Sequence, residues 1–266
     1  MRRVIGVLGV AVVGLVLSLG LVEPAAAKCP ADSVESGTVC MDKYEASVWQ
    51  VPPTQTVLIK KIQKGTVMQA DLTSAAGVVQ LGLATGDLVG AGCPATGNGC
   101  VDFYAVSIPG VTPSAFITWF QAAAAARNSL KRLPTNQEWQ VAALGTPDTG
   151  GADNGTTTCN TDNLAPGVTA TGSRSGCVSD VGAFDMAGNL DEWADEWVPR
   201  STACVAALFG TTSDFNCLAG ASATSGPGAL IRGGVFTDGT TAGVFAVSGL
   251  STPSGATGDV GFRAAR

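Results

Sequence analysis

The segment Asp185–Trp197, DMAGNLDEWADEW, carries the densest chemistry in the chain. Asp185, Asp191, Glu192, Asp195 and Glu196 crowd carboxylates beside Trp193 and Trp197, and Gly188-Asn189 marks a turn between them. Carboxylates next to turn carbonyls are hard oxygen donors, which is calcium chemistry, although the spacing is not that of an EF-hand loop. The chain has no histidine. Ser-His-Asp and Cys-His catalysis, zinc-histidine hydrolysis and the iron facial triad are therefore excluded. Its 8 cysteines include no CxxC pair, which argues against a zinc ribbon or a thioredoxin-type motif.

A second stretch, Ile231–Arg266, reads IRGGVFTDGTTAGVFAVSGLSTPSGATGDVGFRAAR. Its ends look like scaffold: RGG permits tight turns and close backbone approach, and GFRAAR places Phe262 between glycine and arginine. From Gly234 to Asp259 small residues dominate, and Lys, Glu, Gln, Met, Trp and Asn are absent. A plain Gly/Ser/Thr-rich surface loop fits that composition, and so does a surface whose residues vary on a fixed frame.

These stretches need a scaffold. Residues 1–27 read as a signal peptide, with Arg2 and Arg3, an apolar run and Ala25-Ala26-Ala27 at the cleavage site; an uncleaved anchor is the alternative. Residues 28–266 suit a single domain, exported to the periplasm, the cell surface or beyond, without membrane insertion after cleavage. All cysteines follow the cleavage site, so disulfides are expected, and their order suggests Cys29–Cys40, Cys93–Cys100, Cys159–Cys177 and Cys204–Cys217. Spacing alone does not fix that connectivity. The net charge of −6 excludes a nucleic-acid footprint.

Val101–Ile108 reads as a strand. A helix is expected from Thr112-Pro113 through AFITWFQAAAAARNSL, burying Phe116, Trp119, Phe120 and Ala123 as a stripe. A second helix opens at the capping box Thr135-Asn136-Gln137-Glu138 and stops at Gly145. Residues 50–92 carry no motif and read as strands and loops, and 145–180 as a long stapled loop.

Taken in order, CMDKYEAS, KRLPTNQEWQVAA, FDMAGNLDEWADEW, RGG and GFRAAR resemble the formylglycine-generating enzyme (sulfatase-modifying factor) family. The resemblance implies an α+β, C-type-lectin-like fold: a twisted antiparallel sheet, two helices and long disulfide-stapled loops. It implies a structural calcium ion held by Asp185, Gly188, Leu190 and Glu192, with a second site near Asn160 left open. Active members carry two copper-binding cysteines after RGG. Those places hold Asp238 and Gly243, so no copper is expected. The alternative function, an oxidase converting cysteine to formylglycine, is disfavoured on that ground. A carbohydrate-binding lectin-like domain has no supporting motif.

RGG, AGVFA and VGFRAAR are most similar to the variable proteins of diversity-generating retroelements. That resemblance implies a non-catalytic protein displaying a diversified segment, 235–259, to a macromolecular or cell-surface ligand. Randomising the adenines of an AAC codon gives Thr, Ser, Gly, Asp, Ala or Val, among others, and never Lys, Glu, Gln, Met or Trp; the segment's composition fits that rule. Val235, Phe236, Thr237, Asp238, Thr241, Ser248, Ser251, Thr252, Ser254, Thr257 and Asp259 are expected to form the ligand-binding patch. Arg232, Gly233, Gly234, Phe245, Gly261, Phe262 and Arg263 are expected to form its buried or hydrogen-bonded frame.

Overall fold

The computed structural model describes residues 29–148, 152–164, 166–206 and 213–266; the predicted signal peptide lies outside them. An N-terminal hairpin pairs β1 (Ser33–Ser36) with β2 (Val39–Asp42). β3 (Ser47–Gln50) is the centre of an antiparallel sheet flanked by β4 (Val79–Leu81) and β5 (Phe103–Val106). Between β3 and β5 lie the short helices α1 (Thr56–Gln63), α2 (Gln69–Thr73) and α3 (Asp87–Gly90). The reading of 50–92 as strands and loops is thus corrected. In α1, Leu58 and Ile62 fall one turn apart and bury against Val51, Tyr104 and Val106. That face is too short to stand out in the sequence.

Two longer helices follow, α4 (Trp119–Asn128) and α5 (Asn136–Ala143). α5 begins where its capping box places it: Thr135 Oγ1 accepts from Glu138 N, and Glu138 Oε2 accepts from Thr135 N. α4 starts later than Pro113, because Thr118 and Gln121 form the capping box that governs it. Residues 114–116 instead bond through their backbone to Ala46, Gly82 and Thr257. The aromatic stripe is also corrected. α4 buries Ala122, Ala124, Ala125 and Ala126, which allow close packing, while Phe116, Trp119 and Phe120 stay half-buried.

The remaining strands are β6 (Asp191–Pro199), β7 (Ala203–Ala206), β8 (Phe215–Ala219), β9 (Pro227–Arg232), β10 (Val247–Ser248) and β11 (Val260–Gly261). They form one sheet in the order β11-β6-β9-β10-β8-β7. Most pairs are antiparallel; β10 with β8 and β11 with β6 are short parallel pairs. α4 packs against the main core, in which Phe103, Ile117, Trp193, Ile231 and Phe262 meet.

GFRAAR closes the chain onto the hairpin. Cys40 and Arg266 exchange backbone hydrogen bonds, as Asp42 and Ala264 do in one direction. Lys131 Nζ lies 2.6 Å from Asp32 and 2.5 Å from Asp42, and Arg266 bonds Asp32 from the other side. No helix among the described residues is long and apolar enough to cross a membrane.

All 8 cysteines are paired, as Cys29–Cys40, Cys93–Cys100, Cys159–Cys177 and Cys204–Cys217. Peptide mapping of unreduced protein should return these pairs and no free thiol. Replacing Cys159 and Cys177 together by Ala should cost about 3 kcal/mol in urea unfolding, through the freed loop entropy of the unfolded chain. A free thiol, or a cost near zero, would count against the stapled-loop account.

Candidate functional site

β9 delivers Arg232 to the turn that opens the site. Its guanidinium lies 4.7 Å from the Trp139 ring centroid and donates to Val244 O and Gln140 Oε1. Burial lowers its pKa to about 10. Gly234 follows at φ 78°, where a Cβ would stand 2.6 Å from Ala242 Cα, so this turn requires glycine. Gly234 N donates to Asp191 Oδ1 on β6 at 3.1 Å.

Beyond the turn the segment divides. In its first half side chains hold the backbone. Asp238 Oδ2 accepts from Val235 N, Thr241 Oγ1 donates to Asp238 O, and Ser248 Oγ accepts from Leu250 N. Val235 and Ser248 are buried, which departs from the expected solvent-facing patch. Ser248 lies in β10 between β9 and β8, and Val235 packs directly under the glycine turn. Phe236 is half-buried and Thr237 exposed.

In the second half the main chain does the holding. Ala229 N donates to Ser251 O, Trp119 N to Pro253 O, Phe116 N to Thr257 O and Asp191 N to Asp259 O. The side chains of Ser251, Thr252, Ser254 and Thr257 make no hydrogen bond among the described residues, and Ser254 and Thr257 are exposed.

A cavity of about 410 Å³ gathers Val235, Asp238, Ser248, Ser251, Thr257 and Asp259 with scaffold residues Asp191, Phe215, Leu250 and the Cys204–Cys217 bridge. Asp191 is pushed well up from the usual carboxylate range by burial and then by Asp238. Burial, followed by the charge of Asp259, raises Asp238. A second hollow joins Thr252, Pro253 and Ser254 to Phe120 and Trp197. Trp197 is 44 % exposed and meets Trp119 and Phe120 edge-on. The sequence reading missed Asp191, Phe120 and Trp197 as members of this face. The outward alternation of Asp195, Trp197 and Pro199 along β6 is the only local signal for one of them.

Frame residues Arg232, Gly233, Gly234, Gly261, Phe262 and Arg263 are buried. Phe245 is half-buried, and its backbone N donates to Asp214 Oδ2.

Of the calcium set implied by the resemblance, Asp185, Gly188, Leu190 and Glu192, both carboxylates take part in hydrogen bonds within the chain. Glu192 Oε1 accepts from Arg263 Nη2 at 2.6 Å, and Oε2 from Arg263 Nε at 2.6 Å and Trp139 Nε1 at 2.7 Å. The same guanidinium donates to the carbonyls of Asp42, Phe184 and Asp185. It therefore already meets one of the four expected donors, the Glu192 carboxylate, and none of its bonds among the described residues goes to Gly188 O or Leu190 O. Asp185 Oδ2 accepts from Gly172 N, and a Cβ at Gly188 would meet Asn160 O. Near Asn160 a second guanidinium, Arg174, bonds Asn160 and Asp153. Among the described residues no group of three or more carboxylate, histidine or cysteine side chains is arranged to hold a metal.

The copper positions offer no thiolate. Asp238 is engaged in its turn, and a Cβ on Gly243 would collide with the carboxylates of Asp148 and Asp214. Asp214 is pushed up to about 6 by burial and then by Asp148, with the Phe245 N–H opposing.

The family model of the sulfatase-modifying factor enzyme 1-like domain matches residues 21–266. No curated relative matches the sequence. Among solved structures, the Major Tropism Determinant P3c variant aligns at 20 % identity over 89 % of this chain and 54 % of its own, with a TM-score of 0.46. Treponema denticola variable protein 1 aligns at 22 % over 59 % and 71 %, with a TM-score of 0.33. CarF aligns at 18 % over 86 % and 85 %, with a TM-score of 0.41. This chain spans about half the length of the tropism determinant.

Two outcomes follow from the geometry. Chelation should leave the melting temperature unchanged, whereas Glu192→Gln should cost about 3–5 kcal/mol, because it leaves the Arg263 charge buried without its carboxylate. A chelator-sensitive melting temperature would restore the calcium assignment. Asp214 titrates above its unfolded value of about 4, so its contribution to stability is full below pH 4 and is lost as pH rises through about 6. Asp214→Asn should therefore flatten that fall in urea titrations across pH 4–6; an unchanged slope would contradict the assignment.

Proposed function

The chain belongs to the sulfatase-modifying factor enzyme 1-like family, and from that premise we propose that it is an exported, non-catalytic ligand-binding protein displaying a variable surface. The observation that carries this reading is the division of labour in residues 249–259. Backbone bonds hold the loop, while Ser251, Thr252, Ser254 and Thr257 make no side-chain bond. A loop held in this way keeps its shape when its side chains change.

Further features support the reading. Four disulfides suit an oxidising compartment. The family's oxidase chemistry needs thiolates, and no free cysteine remains. The face combines an acidic, apolar-walled hollow with an aromatic one, and buried aromatic contacts supply much of the binding energy at protein interfaces. Its ligand is macromolecular or on a cell surface; the net charge of −6 disfavours nucleic acid. Calcium is not part of the proposal.

The test replaces Thr237, Ser251, Thr252, Ser254 and Thr257 together by Asn. Each exposed change should cost about 0.5 kcal/mol or less, so the melting temperature should barely move while ligand choice changes. Unfolding of the variant would reject the variable-surface reading. Copper-dependent oxygen consumption with a cysteine peptide of the sulfatase type would reject the non-catalytic one.

A further inference from the structure

We infer that the 410 Å³ cavity takes the charged end of a basic side chain from a protein partner, a guanidinium or ammonium on an alkyl stem. This inference rests on the ligand-binding reading of the face and names the chemistry of one contact within it.

The cavity is built from acceptors lacking donors, inside apolar walls. Asp191 is 7 % exposed; Gly234 N occupies Oδ1, and Oδ2 has no partner among the described residues. Asp259 Oδ1 is buried and has no partner either. Asp238 adds a third carboxylate, while no Lys or Arg among the described residues lines the cavity. Arg200 lines the neighbouring hollow, with its Nε donating to Leu250 O.

Buried acceptors without donors are costly, and a guest carrying only donors relieves that cost. Guanidinium and ammonium groups have donors and no acceptor. Phe215, Ile231, Val235, Leu250 and Val260 supply the apolar wall along which an alkyl stem packs. A metal ion would need the carboxylates to converge, and no such convergence occurs among the described residues. Asp191 belongs to scaffold strand β6, whereas Asp238 and Asp259 belong to the variable segment. The charge therefore has a fixed part and a replaceable part, so substitution at two positions tunes the preference for a cationic guest.

The test is an NMR titration of the purified protein, following the amide signals of Gly234, Asp238 and Asp259. The probes are n-butylguanidinium, acetyl-Gly-Arg-Gly-amide, n-butanol, butyrate, cadaverine and calcium chloride. The first two should shift these signals saturably, and n-butanol and butyrate should not. Asp191→Asn keeps an acceptor for Gly234 N and should weaken the guanidinium probes at least tenfold. Should that variant fail to fold, Asp259→Asn should weaken them at least threefold. Equal response to n-butanol would make the cavity merely apolar, and unchanged affinity in a folded variant would remove the carboxylates from the account. Calcium saturating the same signals would make it a metal site. Response to cadaverine without response to the peptide would make it a free-amine site. Each of these results overturns the inference while leaving the variable-surface test, which reads ligand choice and melting temperature, unaffected.

Discussion

The buried Arg263–Glu192 pair holds three parts of the chain in one geometry. Glu192 lies on β6, Arg263 on the closing segment, and the guanidinium also bonds carbonyls of Asp42 on the hairpin and of Phe184 and Asp185 in the acidic turn. Trp139 from α5 completes the set on Glu192. Burying both charges is expensive, and the pair's role is to fix register rather than to add net stability. β11 can pair with β6 only where Arg263, two residues after it, reaches Glu192. The proposed ligand face stands on that register, because Val260 pairs with Asp191 and so places Asp259 at the cavity.

On this frame the chain separates side chains that hold the fold from side chains left without hydrogen bonds. Arg232 donates to Val244 O and Gly234 N donates to Asp191 Oδ1, so both ends of the glycine turn are held within the fold. Residues 250–259 engage backbone groups in the fold and leave side chains unbonded, available for the proposed ligand. Residues 235–248 do both jobs, which limits what can replace Asp238 or Ser248 without disturbing a turn or a strand. Next to the replaceable residues stand Trp119, Phe120 and Trp197, rigid anchors that no substitution in the segment removes. Under the proposed variable-surface reading, such an arrangement gives that surface a constant source of contact area.

Arginine placement also changes how the acidic turn is read. Five carboxylates near a turn suggest a hard cation, but the Arg263 guanidinium meets Glu192 from a distant position in the sequence, and Arg174 meets Asp153 in the neighbouring loop. Spacing within one motif cannot reveal a partner that arrives from another part of the chain.

What the sequence determined by itself is the local and the compositional. The Thr135–Glu138 capping box starts α5 because both partners lie within one turn. Adjacent cysteines pair locally, the missing histidine excludes whole classes of chemistry, and the collinear motifs identify the family. Tertiary structure alone decided the rest. The start of α4 moved because residues 114–116 bond to Ala46, Gly82 and Thr257, competitors far away in the chain. The aromatic stripe stayed half-buried because alanines take the close-packed side of that helix. Val235 and Ser248 turned inward because a glycine turn and a central strand bury them. Asp191, Asp238 and Asp259 became one acidic cavity only when the β6–β11 register brought two segments together, and register depends on burial across the whole sheet rather than on any local pattern.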